Sequence, residues 1–201
     1  HIRKVLPTAR LIELPINAGF AAGMNAGIRE ASSDFILLLN SDVVAMPGSI
    51  RVMVNYLRAH PDVGLVAPLL IDADGRVSRT LLIEPTPARV LVPGVAKRHY
   101  DKWRGRLGND PLEVEAAEGA AVMVRQSALE SVGLMDEDFF FYYEIVDWCM
   151  RFREAGSRVI ILPEARMKHL CGGSSAGQSA ARIEFKRGEY IMLRKRFGER
   201  L

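Results

Sequence analysis

The 201 residues fit one domain, or one domain with a small extension. Hydrophobic residues make up 49% and charged residues 25%, the proportions of an ordinary globular protein, so disordered and collagen-like classes are excluded. A net charge of +3 and a pI near 9.0 are too mild to argue for nucleic acid. They suit a protein that meets anionic ligands such as pyrophosphates, or an anionic membrane surface.

Two cysteines, Cys149 and Cys171, have no CxxC partners. They fit neither a disulfide scaffold nor a zinc site and read as reduced thiols of a cytoplasmic protein. No apolar run approaches the ~20 residues needed to span a bilayer, and the opening residues do not form a signal peptide. The chain begins with His1 rather than Met, which implies residues upstream.

In chain order, residues 10–14 read as a short strand ended by Pro15. Gly19, Gly23 and Gly27 punctuate the next stretch, with a helix over 23–31. Residues 35–39 form a continuous apolar run, the pattern of a parallel strand covered on both faces. Asn40-Ser41-Asp42 follows at once, where open α/β sheets bind ligands. Pro47 suits the first turn of a helix to about residue 59, with Ile50, Met53, Val54 and Leu57 as its apolar stripe. Residues 63–68 are another apolar strand. Strands alternating with helices predict a doubly wound sheet.

From 72 to 115 the pattern weakens. The basic stretch 89–106, with Tyr100 and Trp103 interleaved, reads as an excursion over an active-site mouth. A strand over 117–124 follows, then a short helix from Ser127 stopped by Gly133. Residues 139–154 read as an amphipathic helix, 158–162 as a strand ended by Pro163, and 181–197 as a last helix.

Four constellations can carry chemistry. The run from Asn17 to Asn25, rich in small residues, lets backbone approach an anion at a helix start. It is neither GxGxxG nor a Walker loop, which argues against dinucleotide-binding and P-loop folds. Asp42 can hold a divalent cation whose remaining ligands come from a substrate. Glu144 and Asp147 share one helix face, and Asp147 can pair with Arg151. A carboxylate there could act as general base toward a hydroxyl. His169, followed by Gly172-Gly173-Ser174-Ser175, could touch a metal or phosphate.

The order of these signals is specific. NAGFAAGMNAGIREASSDFILLLNSD resembles the N-x-G-F-x-x-G-x-N-x-G-I…A…(apolar strand)-N-[PS]-D block of family 2 glycosyltransferases, the rhamnosyltransferase-like branch. EGAAVMVRQSALESVGLMDEDFFFYYEIVDWCMRFREAGSRVIILPEARMKHLCGGSS resembles the same family's later block, G-A-x-M-x-x-R…G-x-x-D-E-x-F-F-x-Y-x-E-D-x-D-x-x-x-R…A-G…H…G-x-S. The resemblance covers residues 11–197.

It implies a single α/β domain of the GT-A kind over 1–201: a doubly wound, mostly parallel sheet with flanking helices, lacking its first strands. It implies an inverting glycosyltransferase. Asn17, Gly19, Gly23, Asn25, Asn40 and Asp42 would lie on the nucleotide-sugar side, and Asp42 and His169 at a divalent metal (Mg or Mn). Glu144 and Asp147 would be catalytic. The implied partners are a nucleotide-sugar donor and a saccharide or lipid-linked acceptor, at the inner face of a membrane.

Two features depart from the family pattern. Ile145 stands where E-D-x-D has its middle Asp, the base position. Either Glu144 or Asp147 substitutes, or the chain is a weak or inactive transferase, a saccharide- or nucleotide-binding module. Nothing before Arg10 supplies the family's opening strands, so an exposed sheet edge and self-association are expected. The basic helix 181–201, with Ile183, Tyr190, Leu193 and Phe197 as its apolar stripe, is read as docked on the domain or resting on an anionic membrane.

Overall fold

The computed structural model describes residues 2–170 and 178–198. Cys171, the small-residue loop 172–175 and the last residues of the basic tail lie outside that range.

After a short helix α1 (Ile2–Val5), residues 10–14 form no strand, and their apolar side chains are exposed. A strand needs a ladder partner, and among the described residues none lies beside this segment. Helix α2 (Phe20–Glu30) starts earlier than expected and buries Ala21, Asn25 and Ile28. Strand β1 (Phe35–Leu39) then leads through a turn into β2 (Val43–Ala45). Helix α3 (Ser49–Ala59) packs Met53 and Leu57 against β3 (Val63–Ile71), all nine of whose residues are buried. Ile50, expected on the buried stripe, is exposed.

The excursion holds β4 (Leu81–Leu82), α4 (Pro87–Leu91), α5 (Val95–Arg104), β5 (Leu112–Glu113) and β6 (Ala116–Ala117). Thr86 caps α4 by accepting from Arg89 N, with Pro87 in the first turn. Then come β7 (Ala121–Arg125), α6 (Gln126–Val132), α7 (Glu144–Glu154), β8 (Arg158–His169) and α8 (Gln178–Phe197). The strand expected over 117–124 is therefore two strands with a turn between them.

The main sheet runs β1-β7-β3-β8-β2, with β5 also on β8, and β4 pairs with β6 in a small separate sheet. Strands β1, β3 and β8 share one direction, and β7, β2 and β5 run against them. The α/β class expected from the sequence is thus the observed one. β1 lies at the edge, paired only with β7 among the described residues, so Phe35–Leu37 are half-buried rather than covered on both faces. Pro163 does not end β8. Pro68 pairs with Leu162 and Leu69 with Arg166, so residues 163–165 bulge out of the ladder. A proline, with no N–H to donate, is accommodated in such a bulge.

The carboxyl ends of β1 and β8 and the start of the opposed β7 meet at one edge. Asn40 N donates to Ala120 O (2.9 Å), and Leu170 N to Asp42 O (2.9 Å). This is the ligand-binding edge of an open α/β sheet.

Candidate functional site

Over that edge lies a cavity of ≈ 600 Å³. Its walls come from Asn40 after β1, Glu118–Ala120 between β6 and β7, Tyr142–Val146 at the head of α7, α4 and α5 above, and Phe185 and Glu189 of α8. The expected excursion over the mouth is therefore seen as a cover built by Arg89, Val90, Ala96, Lys97 and Tyr100. It is latched by Glu115, which takes two hydrogen bonds from Arg89 (2.7 and 3.0 Å) and lies 2.6 Å from His99 Nε2. Burial alone would raise the Glu115 pKa. The Arg89 guanidinium, the Glu84 amide and His99 together hold it below the usual range.

Tyr142 and Tyr143 sit in the left-handed region (φ 69° and 70°). Side chains other than glycine's are strained there, by roughly 1–3 kcal/mol each. This is why α7 starts at Glu144 and not at residue 139. The strain is held by packing: Tyr142 and Tyr143 contact Phe185 at ring separations of 5.7 and 5.1 Å, and Tyr143 Oη donates to Glu189. Gly188 permits this approach, since a Cβ there would lie 2.9 Å from Tyr142 O. Gly19 plays a similar part. A Cβ on it would meet Phe140 O at 2.3 Å, and Phe20 N donates to that same oxygen.

The expected site residues divide into groups. Asp42 and His169 come together: β2 and β8 pair Val43 with His169, leaving His169 Nε2 3.4 Å from Asp42 Oδ2. Asn40 and Glu144 line the main cavity. Asn17 and Gly19 line a neighbouring cavity behind the Phe20–Phe141–Tyr142 wall. Gly23 is solvent-exposed with open space beside it.

Two of the expected site residues are engaged within the fold instead of lining the main cavity. Asn25 is buried, and its amide is spent inside the protein: Nδ2 donates to Met135 O and Glu137 Oε1, and Oδ1 accepts from Met135 N. It latches α2 to the 135–137 turn. Asp147 accepts from Arg151 Nε (2.7 Å), and Arg151 Nη1 donates to Val132 O at the end of α6. That pair ties α6 to α7, and Asp147 takes no part in lining the cavity.

Glu144 differs. It is 5% exposed, its Oε2 has no hydrogen-bond partner, and burial, helped by Glu118, pushes its pKa up to about 7. Ile145, at the base position of the family pattern, is 3% exposed and also faces the cavity. Sequence reasoning missed Glu118. Burial raises its pKa against the pull of Arg79 and His169. Its only signal was a carboxylate directly before the Gly119-Ala120 pair of the later block.

Residues 2–133 match the family model described as Glycosyl transferase family 2. The chain belongs to glycosyl transferase family 2. It is 27% identical, over 94% of its length and 68% of the relative's, to an N-acetylglucosaminyl-diphospho-decaprenol L-rhamnosyltransferase of Mycobacterium tuberculosis. It is 25% identical, over 92% of its length and 63% of the relative's, to the dTDP-rhamnosyl transferase RfbF of Shigella flexneri. A structure of GalNAc-T7 with UDP, GalNAc and Mn2+ superposes with a TM-score of 0.61 at 14% identity, covering 84% of this chain and 34% of that one. A mannosyltransferase from Pyrobaculum calidifontis with GDP-Man and Mn2+ superposes at 0.55 and 17% identity, covering 90% of this chain and 45% of that one. These likenesses show the GT-A fold. The chain thus spans about two thirds of these rhamnosyltransferases and less than half of the two structural neighbours.

Proposed function

We propose that this chain carries the diphosphate and acceptor sides of an inverting glycosyltransferase. It would move a rhamnosyl or hexosyl residue from a nucleotide-diphosphate sugar to a hydroxyl of a saccharide or lipid-linked acceptor, at the cytoplasmic face of a membrane. The observation that carries this reading is the Asp42–His169 pair, set at the sheet edge beside a cavity whose lining includes four carboxylates. The M. tuberculosis relative, named for a lipid-linked acceptor, supports the acceptor class.

One carboxylate and one imidazole 3.4 Å apart fit a divalent cation such as Mn²⁺ or Mg²⁺. Adjacent ligands of such an ion lie about 3 Å apart at metal–oxygen distances near 2.1 Å. Among the described residues no third protein ligand joins them, which leaves positions for diphosphate oxygens. A bound cation would neutralise charge on the departing diphosphate. Asn17, Gly19 and Gly23 would flank the donor, and Asn40 would orient it beside the cavity. The acceptor enters under the α4–α5 cover, where Tyr100, Tyr142 and Ile145 exclude water and Arg79 offers charge to an anionic acceptor. Its hydroxyl attacks the anomeric carbon in line while a cavity carboxylate takes the proton.

Ile145 favours a second reading, a non-catalytic saccharide- or nucleotide-binding module. The two are separated by assaying the full chain with dTDP-rhamnose, Mn²⁺ and a short-chain N-acetylglucosaminyl-diphospho-prenol. Transfer with inverted anomeric configuration, read by NMR, is expected. Asp42→Ala should abolish Mn²⁺-dependent binding of dTDP-rhamnose in calorimetry. Unchanged binding in that variant overturns the Asp42 assignment, and donor binding without transfer by the parent protein favours the module.

A further inference from the structure

The side chain at 145 cannot accept a proton, yet it lines a cavity whose walls also carry carboxylates. A Cβ placed on Gly119 would lie 3.4–3.5 Å from Ile145 Cβ, Cγ1 and Cγ2. Position 145 therefore packs directly on the backbone next to Glu118, and both residues line the same cavity.

Four carboxylates line that cavity, and three are committed or covered. Glu84 is ion-paired with Arg153. Glu189 holds the Tyr143 hydroxyl and Lys186. Glu144 is only 5% exposed and its Oε2 is fully buried, so it presents far less carboxylate surface to an acceptor hydroxyl than Glu118 does. Glu118 keeps its side chain 29% exposed, and its nearest basic neighbour, Arg79 Nε, stands 3.8 Å away, too far for a hydrogen bond. Its backbone is fixed, because Glu118 N donates to Thr80 O at 2.8 Å and β7 begins three residues later.

We propose that Glu118 is the general base of the transfer, a carboxylate supplied from the turn before β7 in place of the one position 145 lacks. This rests on the transferase reading above. The acceptor O–H gives its proton to the Glu118 carboxylate. The oxygen lone pair forms the new bond to the anomeric carbon, and the bond from that carbon to the diphosphate breaks, its electron pair leaving with the nucleoside diphosphate. The raised pKa of Glu118 favours holding that proton.

The test is Glu118→Gln in the full chain, with dTDP-rhamnose, Mn²⁺ and the short-chain prenyl acceptor. We expect kcat to fall by ~10²–10⁴-fold, the usual worth of a positioned base, while Mn²⁺-dependent donor affinity stays at the parent value and shows the variant to be folded. Glu118→Asp, which keeps a carboxylate, should retain more of the rate than Gln. A Gln variant that transfers within threefold of the parent overturns the assignment. So does an Asp variant no faster than Gln, or a folded Gln variant, by its unfolding midpoint, that loses Mn²⁺-dependent donor affinity, which would make Glu118 a cation ligand. A parent protein that binds the donor but transfers nothing overturns the transferase reading itself, a result distinct from failure of the Glu118 assignment.

Discussion

Glu144 is a carboxyl group the fold prefers uncharged. Its pKa is pushed up from 4.5 to about 7, first by burial. An acid raised in this way stabilises the fold while protonated. That contribution is fully present below 4.5 and is lost as pH climbs toward 7, because the folded state holds a proton that the unfolded state has released. The shift sets a ceiling of about 3 kcal/mol. Burial raises Glu118 and Asp147 as well, so they act in the same direction. Glu144→Gln should therefore flatten part of the fall in melting temperature between pH 5 and 8 and leave the variant the more stable protein at pH 8. Thermal unfolding across that range checks it, and an unchanged slope would show that Glu144 is not buried as described. Residue type made some of this site legible. Asp42 after an apolar strand and His169 after another both stood out, because a polar group ending a buried strand is unusual. Glu118 did not: a lone glutamate before a glycine has no spacing that betrays it. Only the fold brings Gly119 against Ile145.

At the scale of elements, apolar runs and breakers placed most strands and helices, and they failed where local geometry overrides propensity. The run 139–143 reads as helix, yet the left-handed pair Tyr142–Tyr143 delays α7 to Glu144, and aromatic packing on Phe185 sustains that pair. The excursion carried breakers and charge but no periodicity, so its helices α4 and α5 were not legible. Their attachment to the body runs through Glu115, with Arg89 as its bidentate partner and His99 beside it. Arg89→Met should leave the half-buried Glu115 carboxylate without its main donor, at a cost of ~1–3 kcal/mol. Because the cover's apolar contacts with the core, through Tyr100 and Trp103, are only partly buried, the loss should appear as local opening. Amide hydrogen exchange over residues 87–104 should quicken while β3 and β8 keep their protection. Uniform acceleration across the sheet would mean that the cover and the core unfold together.

For the molecule as a whole, α8 sets which surface could face a membrane. The sequence offered Ile183, Tyr190, Leu193 and Phe197 as an apolar stripe without saying whether it met the domain. In the structure α8 docks by its other side, through Phe185, Gly188 and Met192. Lys195 reaches Asp136 and Asp138, and Arg196 reaches Glu154. Two of the tail's basic residues are therefore spent on attachment. What remains outward is a line of apolar side chains seven residues apart, Ile183 at 66%, Tyr190 at 63% and Phe197 at 44% exposure. Exposed Arg182, Arg187 and Arg194 flank it. Among the described residues no helix is long and apolar enough to cross a membrane, but a ridge of this kind can lie on one. Each basic residue near an anionic surface contributes ~1 kcal/mol and is screened by salt. Co-sedimentation with phosphatidylglycerol vesicles should therefore appear at low salt and vanish at high salt. Changing Arg187 and Arg194 to Gln should weaken it, and changing Ile183, Tyr190 and Phe197 to Ser should weaken it further without moving the unfolding midpoint, since none of the three packs in the core. Neutralising Lys195 and Arg196 should instead loosen α8 and lower that midpoint. Equal recovery with anionic and neutral vesicles would rule out an electrostatic face on α8.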